Sequence, residues 1–274
     1  MNTVAAGPER FISRRMQAVP PSGIRKFFDL LSTIDDVISL GVGEPDYVTP
    51  EPIRRAAIES IEHGHTHYTS NYGLPELREK LSAHLERLYG VRYDPKTEIV
   101  ITSGSSEAFD IALRALLDPG DEVLCADPCY VAYLPATVMA GGSFVPVRTS
   151  AANDFRLMAA DVEAAITPRS RVILLGYPSN PTGATMGRDD LAAIAAVAER
   201  HDLAVVSDEL YDRMTYVGQH TCFAALPGMQ GRAVLLGGFS KAYAMTGWRV
   251  GYCCGNAEMV RALATVKTYY DYGM

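Results

Sequence analysis

An α/β architecture built on a layered, mostly parallel sheet is predicted by three features of the chain. Short apolar runs recur from about residue 97 onward, and stretches with helical spacing separate them. The runs are rich in β-branched residues and apolar on both faces, as strands covered by helices on two sides must be.

In order, the runs are EIVIT (98–102), EVLCA (122–126), SFVPV (143–147), RVILLG (171–176), LAVVS (203–207) and AVLLGG (233–238), each read as a buried strand. Helices are predicted over 105–117, 130–140, 159–166 and 189–201. The last opens on Asp189 and Asp190, which suit a helix N-terminus, and puts Leu191, Ile194, Val197 and Ala198 at helical spacing. The first fifty residues break the alternation. There SGIRKFFDLLSTIDDVISLGVGEPDYVTP (22–50) reads as a short amphipathic helix and a Gly/Pro-punctuated loop. Residues 1–47 are therefore assigned to an arm and part of a second domain, and residues 48–274 to the main domain. The closing ALATVKTYYDYGM carries no helix stop signal and reads as halting inside an element.

With 274 residues, 48% of them hydrophobic, the chain can bury a large core and is expected to be soluble and globular. A net charge of −7 with no basic block argues against nucleic acid, since Arg10, Arg14 and Arg15 are too sparse for a polybasic arm. The first twenty residues hold no apolar core of signal-peptide length, and no run approaches membrane-spanning length. A cytoplasmic protein away from membranes is expected. Of the five cysteines, Cys125 and Cys129 flank a strand end and Cys253 and Cys254 are adjacent, which is not zinc spacing. They read as plain thiols in a reducing compartment. His63, His65 and His67 alternate without a supporting carboxylate cluster, so no metal site is assigned.

The chemistry concentrates in GGFSKAYAMTGWRVGY (237–252). It sets Lys241 a fixed eight residues before Arg249. An amine and a guanidinium so held suit a cofactor with an aldehyde at one end and a phosphate at the other: the amine can condense with the aldehyde, and the guanidinium can grip the phosphate through paired hydrogen bonds. Asp208, in SDELY (207–211), follows the strand LAVV, at the strand end where open α/β sheets bind ligands. Taken alone it also suits a turn cap. TSGSSEAFDIAL (102–113) joins a strand end to a helix start, so that backbone N–H groups and the Ser105 and Ser106 hydroxyls form either a phosphate cradle or a plain serine-capped helix.

The 237–252 stretch resembles the lysine signature of class I/II pyridoxal-phosphate-dependent aminotransferases, and the other motifs fall in that family's order. The resemblance runs from about Arg10 to the end of the chain. It implies the aspartate aminotransferase fold type I, with a three-layer large domain and part of a small one. It also implies pyridoxal 5'-phosphate as cofactor, and transamination between an L-amino acid and a 2-oxo acid by a homodimer.

By the same resemblance Lys241 holds the cofactor and moves the proton, while Asp208 pairs with the pyridine nitrogen. Tyr211 and Asn180, the latter in YPSNPTGA (177–184), meet the 3'-oxygen. Tyr130, in DPCYVAY (127–133), stacks on the ring. Ser105, Ser106 and Arg249 take the phosphate. Tyr68, in HYTSNYGLPELREKL (67–81), reaches it from the partner subunit. Gly43, in SLGVGEPDYVTP (39–50), lies with Asn180 against the substrate, where a missing side chain permits close backbone approach.

Two departures stand out. Gly238 occupies the place of a serine that often contacts phosphate in the family. The family's substrate-carboxylate arginine lies in a C-terminal portion that these residues do not include. Alternatives left open are another outcome on the same cofactor, such as a carbon–sulfur lyase or cyclising synthase, and an inactive truncated fragment. The pattern PPSGIRKFFDL before SLGVGEPD looks most like the branch of alanine-, diaminopimelate- and aromatic-type transaminases.

Overall fold

The computed structural model describes residues 7–21, 34, 36 and 43–271. The amphipathic helix expected after Pro21 lies outside the described residues. Seven strands form one sheet: β1 (Ile99–Thr102), β2 (Glu122–Asp127), β3 (Ser143–Arg148), β4 (Ser170–Gly176), β5 (Ala204–Asp208), β6 (Ala233–Gly238) and β7 (Gly251–Cys254). Their order is β1-β7-β6-β5-β4-β2-β3. β7 runs antiparallel to both neighbours, and the other pairs are parallel. The carboxyl ends of β1 to β6 therefore share one edge, where the start of β7 joins them.

Eight α-helices are described: α1 (Arg14–Gln17), α2 (Glu51–Glu62), α3 (Pro75–Tyr89), α4 (Gly104–Leu116), α5 (Tyr133–Ala140), α6 (Ala159–Ala165), α7 (Arg188–Arg200) and α8 (Ala257–Thr268). Alternation along the strands sorts them into two layers. Val123, Cys125, Val172, Leu174, Val206, Val234 and Leu236 face a core with Ile111, Leu113 and Leu263 from α4 and α8. Leu124, Ile173, Leu175, Val205 and Leu235 face another with Leu81 and Leu85 of α3 and Ile194 and Val197 of α7. Strands buried on both faces explain the continuous apolar runs. Among the described residues no helix is long and apolar enough to cross a membrane.

Three expectations are corrected. SFVPV is not a buried strand: β3 is the sheet edge and mostly exposed, a position that tolerates Pro146 because no neighbour needs its missing N–H. The helix expected over 130–140 begins at Tyr133, since residues 130–132 form the turn that carries the chain off β2. A seventh strand, β7, fills the gap between β1 and β6. α8 closes at Thr268, with the Tyr269 N–H donating to the Val266 and Lys267 carbonyls, and residues 272–274 of the closing stretch lie outside the described residues.

β7 also sets how closely the sheet approaches α4. A Cβ added to Gly251 would lie 2.4 Å from the Gly104 carbonyl carbon and 2.6 Å from the Ser105 nitrogen, both backbone. Gly251→Ala is expected to push α4 off the sheet and destabilise the fold by about 3 kcal/mol. The midpoint of urea unfolding measures this, and an unchanged midpoint would show that the contact is slack.

Candidate active site

The shared edge gathers the side chains singled out above. Asp208 ends β5, paired in register with Gly176 on one side and Leu236 on the other. Its carboxylate is buried, 8% exposed. Oδ2 accepts from the Tyr133 hydroxyl at 2.9 Å and Oδ1 from the Leu210 N–H at 3.2 Å. Burial pushes its pKa up from 3.8 to about 6. Those two hydrogen bonds oppose the shift, and Glu209 repulsion adds to it. Tyr133 was not singled out by sequence. It reaches Asp208 only because Gly176 has no side chain: a Cβ there would lie 2.6 Å from the Tyr133 hydroxyl.

Tyr211 follows the end of β5 and Asn180 the end of β4, and the Asn180 side chain bears on the Tyr211 hydroxyl. Burial raises the Tyr211 pKa, and the Asn180 side chain works against it. A tight loop holds Asn180, closed by Gly183 N–H to Ser179 O and Ser179 N–H to Ala184 O, both 2.8 Å.

Lys241 follows β6. Its Nζ donates to the Gly43 carbonyl and lies 5.8 Å from the Tyr211 ring centroid. Burial lowers its pKa; Glu44 acts the other way, and nearby Arg249 adds to the lowering. The segment before Thr49 is tied to the same loop. Glu44 accepts from the Thr246 hydroxyl at 3.0 Å, Thr49 donates to the Ala244 carbonyl, and the Trp248 indole N–H donates to the Thr49 hydroxyl at 3.0 Å.

The phosphate-like end lies at the start of α4. Gly104 has φ +71°, a left-handed backbone that suits glycine, and a Cβ there would lie 2.5 Å from an Arg249 guanidinium nitrogen. Arg249 itself sits at φ +56°, its Nη1 donating to the Thr246 carbonyl at 3.0 Å. A guanidinium thus lies against a helix start whose Gly104, Ser105 and Ser106 N–H groups have no acceptor among the described residues. Ser105 is buried and Ser106 exposed. This donor set, in a cradle that a Cβ would fill, fits a phosphate. The place of Gly238 has a packing reason, since a Cβ there would lie 3.0 Å from the Leu210 side chain.

Two further expected residues differ in their surroundings. Tyr130 is half-buried, its ring edge-on to Phe109 at 6.2 Å and to Tyr133 at 5.5 Å. Tyr68 is 88% exposed. His63, His65 and His67 are exposed, and His63 Nδ1 lies 2.7 Å from the Glu59 carbonyl of its own helix. All five thiols are free, Cys129 half-buried and the others buried.

Comparison with known proteins identifies relatives of the whole chain. The family model for aminotransferase class I and II matches residues 35–270. YugH of Bacillus subtilis, named only as an aminotransferase, is 47% identical over 259 residues, covering 94% of this chain and 67% of that protein. Aromatic-amino-acid aminotransferase 2 of Thermococcus litoralis is 41% identical, with the same coverage of 94% and 67%. The structure of Thermus thermophilus aspartate aminotransferase with maleate superposes with a TM-score of 0.91 at 37% identity, covering 96% of this chain and 69% of that one. The chain thus spans about two thirds of the length of these relatives. An α/β sheet of this order, with that family match and these relatives, assigns the chain to the class I and II aminotransferases of fold type I, enzymes that transfer an amino group between an amino acid and a 2-oxo acid.

Proposed function

We propose that this aminotransferase works with pyridoxal 5'-phosphate, held at the sheet edge by Lys241, Asp208, Tyr211, Asn180, Tyr130, Ser105, Ser106 and Arg249. The observation that carries the reading is the meeting of three complementary groups at one edge. These are an amine of lowered pKa, a buried carboxylate, and a guanidinium over the open N-terminus of α4. When bound, the cofactor supplies an aldehyde that captures the substrate amine and a ring that draws electron density from the substrate Cα.

The residues divide the work. Lys241 Nζ, made less basic by burial, takes the proton from the substrate Cα and delivers it to the cofactor side. Asp208, oriented by Tyr133, keeps a proton on the ring nitrogen. Asn180 and Tyr211 hold the 3'-oxygen as a pair. Arg249 and the first turn of α4 anchor the phosphate. Gly43, whose carbonyl accepts from Lys241, leaves room for the substrate beside that amine.

Residues 48–274 form the cofactor-binding domain, and residues 1–47 the arm and part of the small domain. Tyr68, exposed in the single chain, reaches the phosphate site of a second copy in a cytoplasmic homodimer. Aromatic and aspartate aminotransferases among the relatives favour transamination over the lyase and cyclising alternatives, and an acidic or aromatic L-amino acid as donor.

The test is an amino acid added alone to the cofactor-loaded protein. One equivalent of 2-oxo acid per site, with the amine form of the cofactor left behind, is expected. Continuous release of ammonia or a thiol would favour the other outcomes. Arg249→Ala is expected to raise the cofactor dissociation constant about tenfold to a hundredfold, because a charge-assisted paired grip is lost. Turnover at saturating cofactor should fall less. Titration of the cofactor-free protein measures the constant, and a wild-type value would move the phosphate elsewhere.

A further inference from the structure

The least expected side chain in the core is Lys267, on the last turn of α8. It is 1% exposed, although a lysine normally keeps its ammonium in water. Its Nζ lies 3.1 and 3.3 Å from the two Glu107 carboxylate oxygens, and 2.8 and 2.6 Å from those of Asp271. None of these three residues belongs to the set assigned to cofactor or substrate.

Glu107 links this ion cluster to the cradle. It lies in the first turn of α4, and Oε2 accepts the N–H of Ser103, the residue that precedes the helix. The Ser103 side chain makes no capping bond. Glu107 therefore holds the entry to α4, which leaves the next three N–H groups free to face an anion. A carboxylate there favours the helix, whose N-terminus carries partial positive charge. The same carboxylate would repel a phosphate at that N-terminus, unless its charge were balanced from behind.

We propose that Lys267 is a positioning residue for the phosphate cradle. Its ammonium, pressed against both Glu107 oxygens, lets that carboxylate hold the Ser103 N–H without repelling the phosphate. The inference rests on the pyridoxal phosphate reading above and adds a residue that never touches the cofactor. The arrangement also couples α8 to the cofactor site, because Asp271, just past the helix, competes with Glu107 for the same ammonium. Losing the ammonium would leave two partly buried carboxylates without the cation between them, and Glu107 would have to turn away from Ser103.

The experiment compares pyridoxal phosphate with pyridoxal, which lacks the phosphate, as ligands of wild type, Lys267→Met, Lys267→Arg and the double variant Glu107→Gln/Lys267→Met. Lys267→Met is expected to raise the dissociation constant for pyridoxal phosphate about tenfold or more, with little change for pyridoxal. The double variant should return close to wild type, because a glutamine oxygen still accepts from Ser103 and carries no charge. Lys267→Arg should also remain close. Equal loss of both ligands in Lys267→Met, or a double variant no better than Lys267→Met, would reduce Lys267 to a packing role and overturn the proposal. If Lys267→Met does not fold, the double variant decides, and its failure to prefer the phosphorylated ligand as wild type does counts against the proposal. A wild-type protein that binds neither ligand would overturn the reading of the site itself, and this inference with it.

Discussion

Lys241→Ala is expected to abolish the borohydride-reducible link between protein and cofactor and to lower transamination by about five orders of magnitude. The reason is the position of Nζ. Burial lowers its pKa, and Arg249 works in the same direction, so a larger fraction is free amine at neutral pH than for a lysine in water. A free amine is what both condensation with an aldehyde and proton abstraction need. Glu44 opposes this shift, so Glu44→Gln should move the activation of Lys241 to lower pH. The other described lysines are Lys80, Lys96 and Lys267: the first two are exposed, and Lys267 is held by two carboxylates. None of them can take over. Peptide mapping after reduction of the loaded protein reads the result directly. A labelled lysine in Lys241→Ala would show that the nucleophile is elsewhere.

Sequence made the sheet interior legible because four parallel strands are buried on both faces. Runs such as RVILLG and AVLLGG have few other readings. It failed at one margin of the sheet and at one short inner strand. SFVPV has the composition of a buried strand, yet it ends the sheet, and composition does not say which strand lacks a neighbour. GYCC was absorbed into the motif around Arg249, and its four residues are too few to show a period. α3 was missed although Pro75 at its first turn and Leu77, Leu81 and Leu85 at helical spacing gave a usable signal.

The site was read in the same uneven way. Lys241, Asp208 and Arg249 stand in short motifs whose residue types state their chemistry. Tyr133 does not, because its approach to Asp208 depends on the bare backbone of Gly176 on another strand. Lys267 was hidden more deeply. It looks like an ordinary solvent-facing residue of an amphipathic helix until α8 packs on α4 and brings Glu107 to it from 160 positions earlier. Contacts of that kind are set by the order of strands, which no local pattern carries.

Asp208→Asn is expected to separate stability from activity, in opposite directions. Without cofactor the carboxylate is buried against only the Tyr133 hydroxyl and the Leu210 N–H, and its pKa rises from 3.8 to about 6. A carboxyl whose folded pKa lies above its unfolded value weakens the fold once it ionises. The penalty is absent below pH 4, grows through the window between 4 and 6, and is complete above it. At about 1.4 kcal/mol for each tenfold in protonation, that window corresponds to about 3 kcal/mol. Asparagine removes the penalty but cannot accept from both donors, which costs about 1 kcal/mol. The cofactor-free variant should therefore gain about 2 kcal/mol over wild type at pH 7.5 and lose about 1 kcal/mol at pH 4, read by urea unfolding at the two values. Turnover should move the other way, falling by about three orders of magnitude, because an amide cannot keep a proton on the ring nitrogen. Equal stability gains at both pH values would mean that the charge of Asp208 is not what strains the empty fold. Near-wild-type turnover would make Asp208 a turn residue and leave the ring nitrogen without a partner at the end of β5.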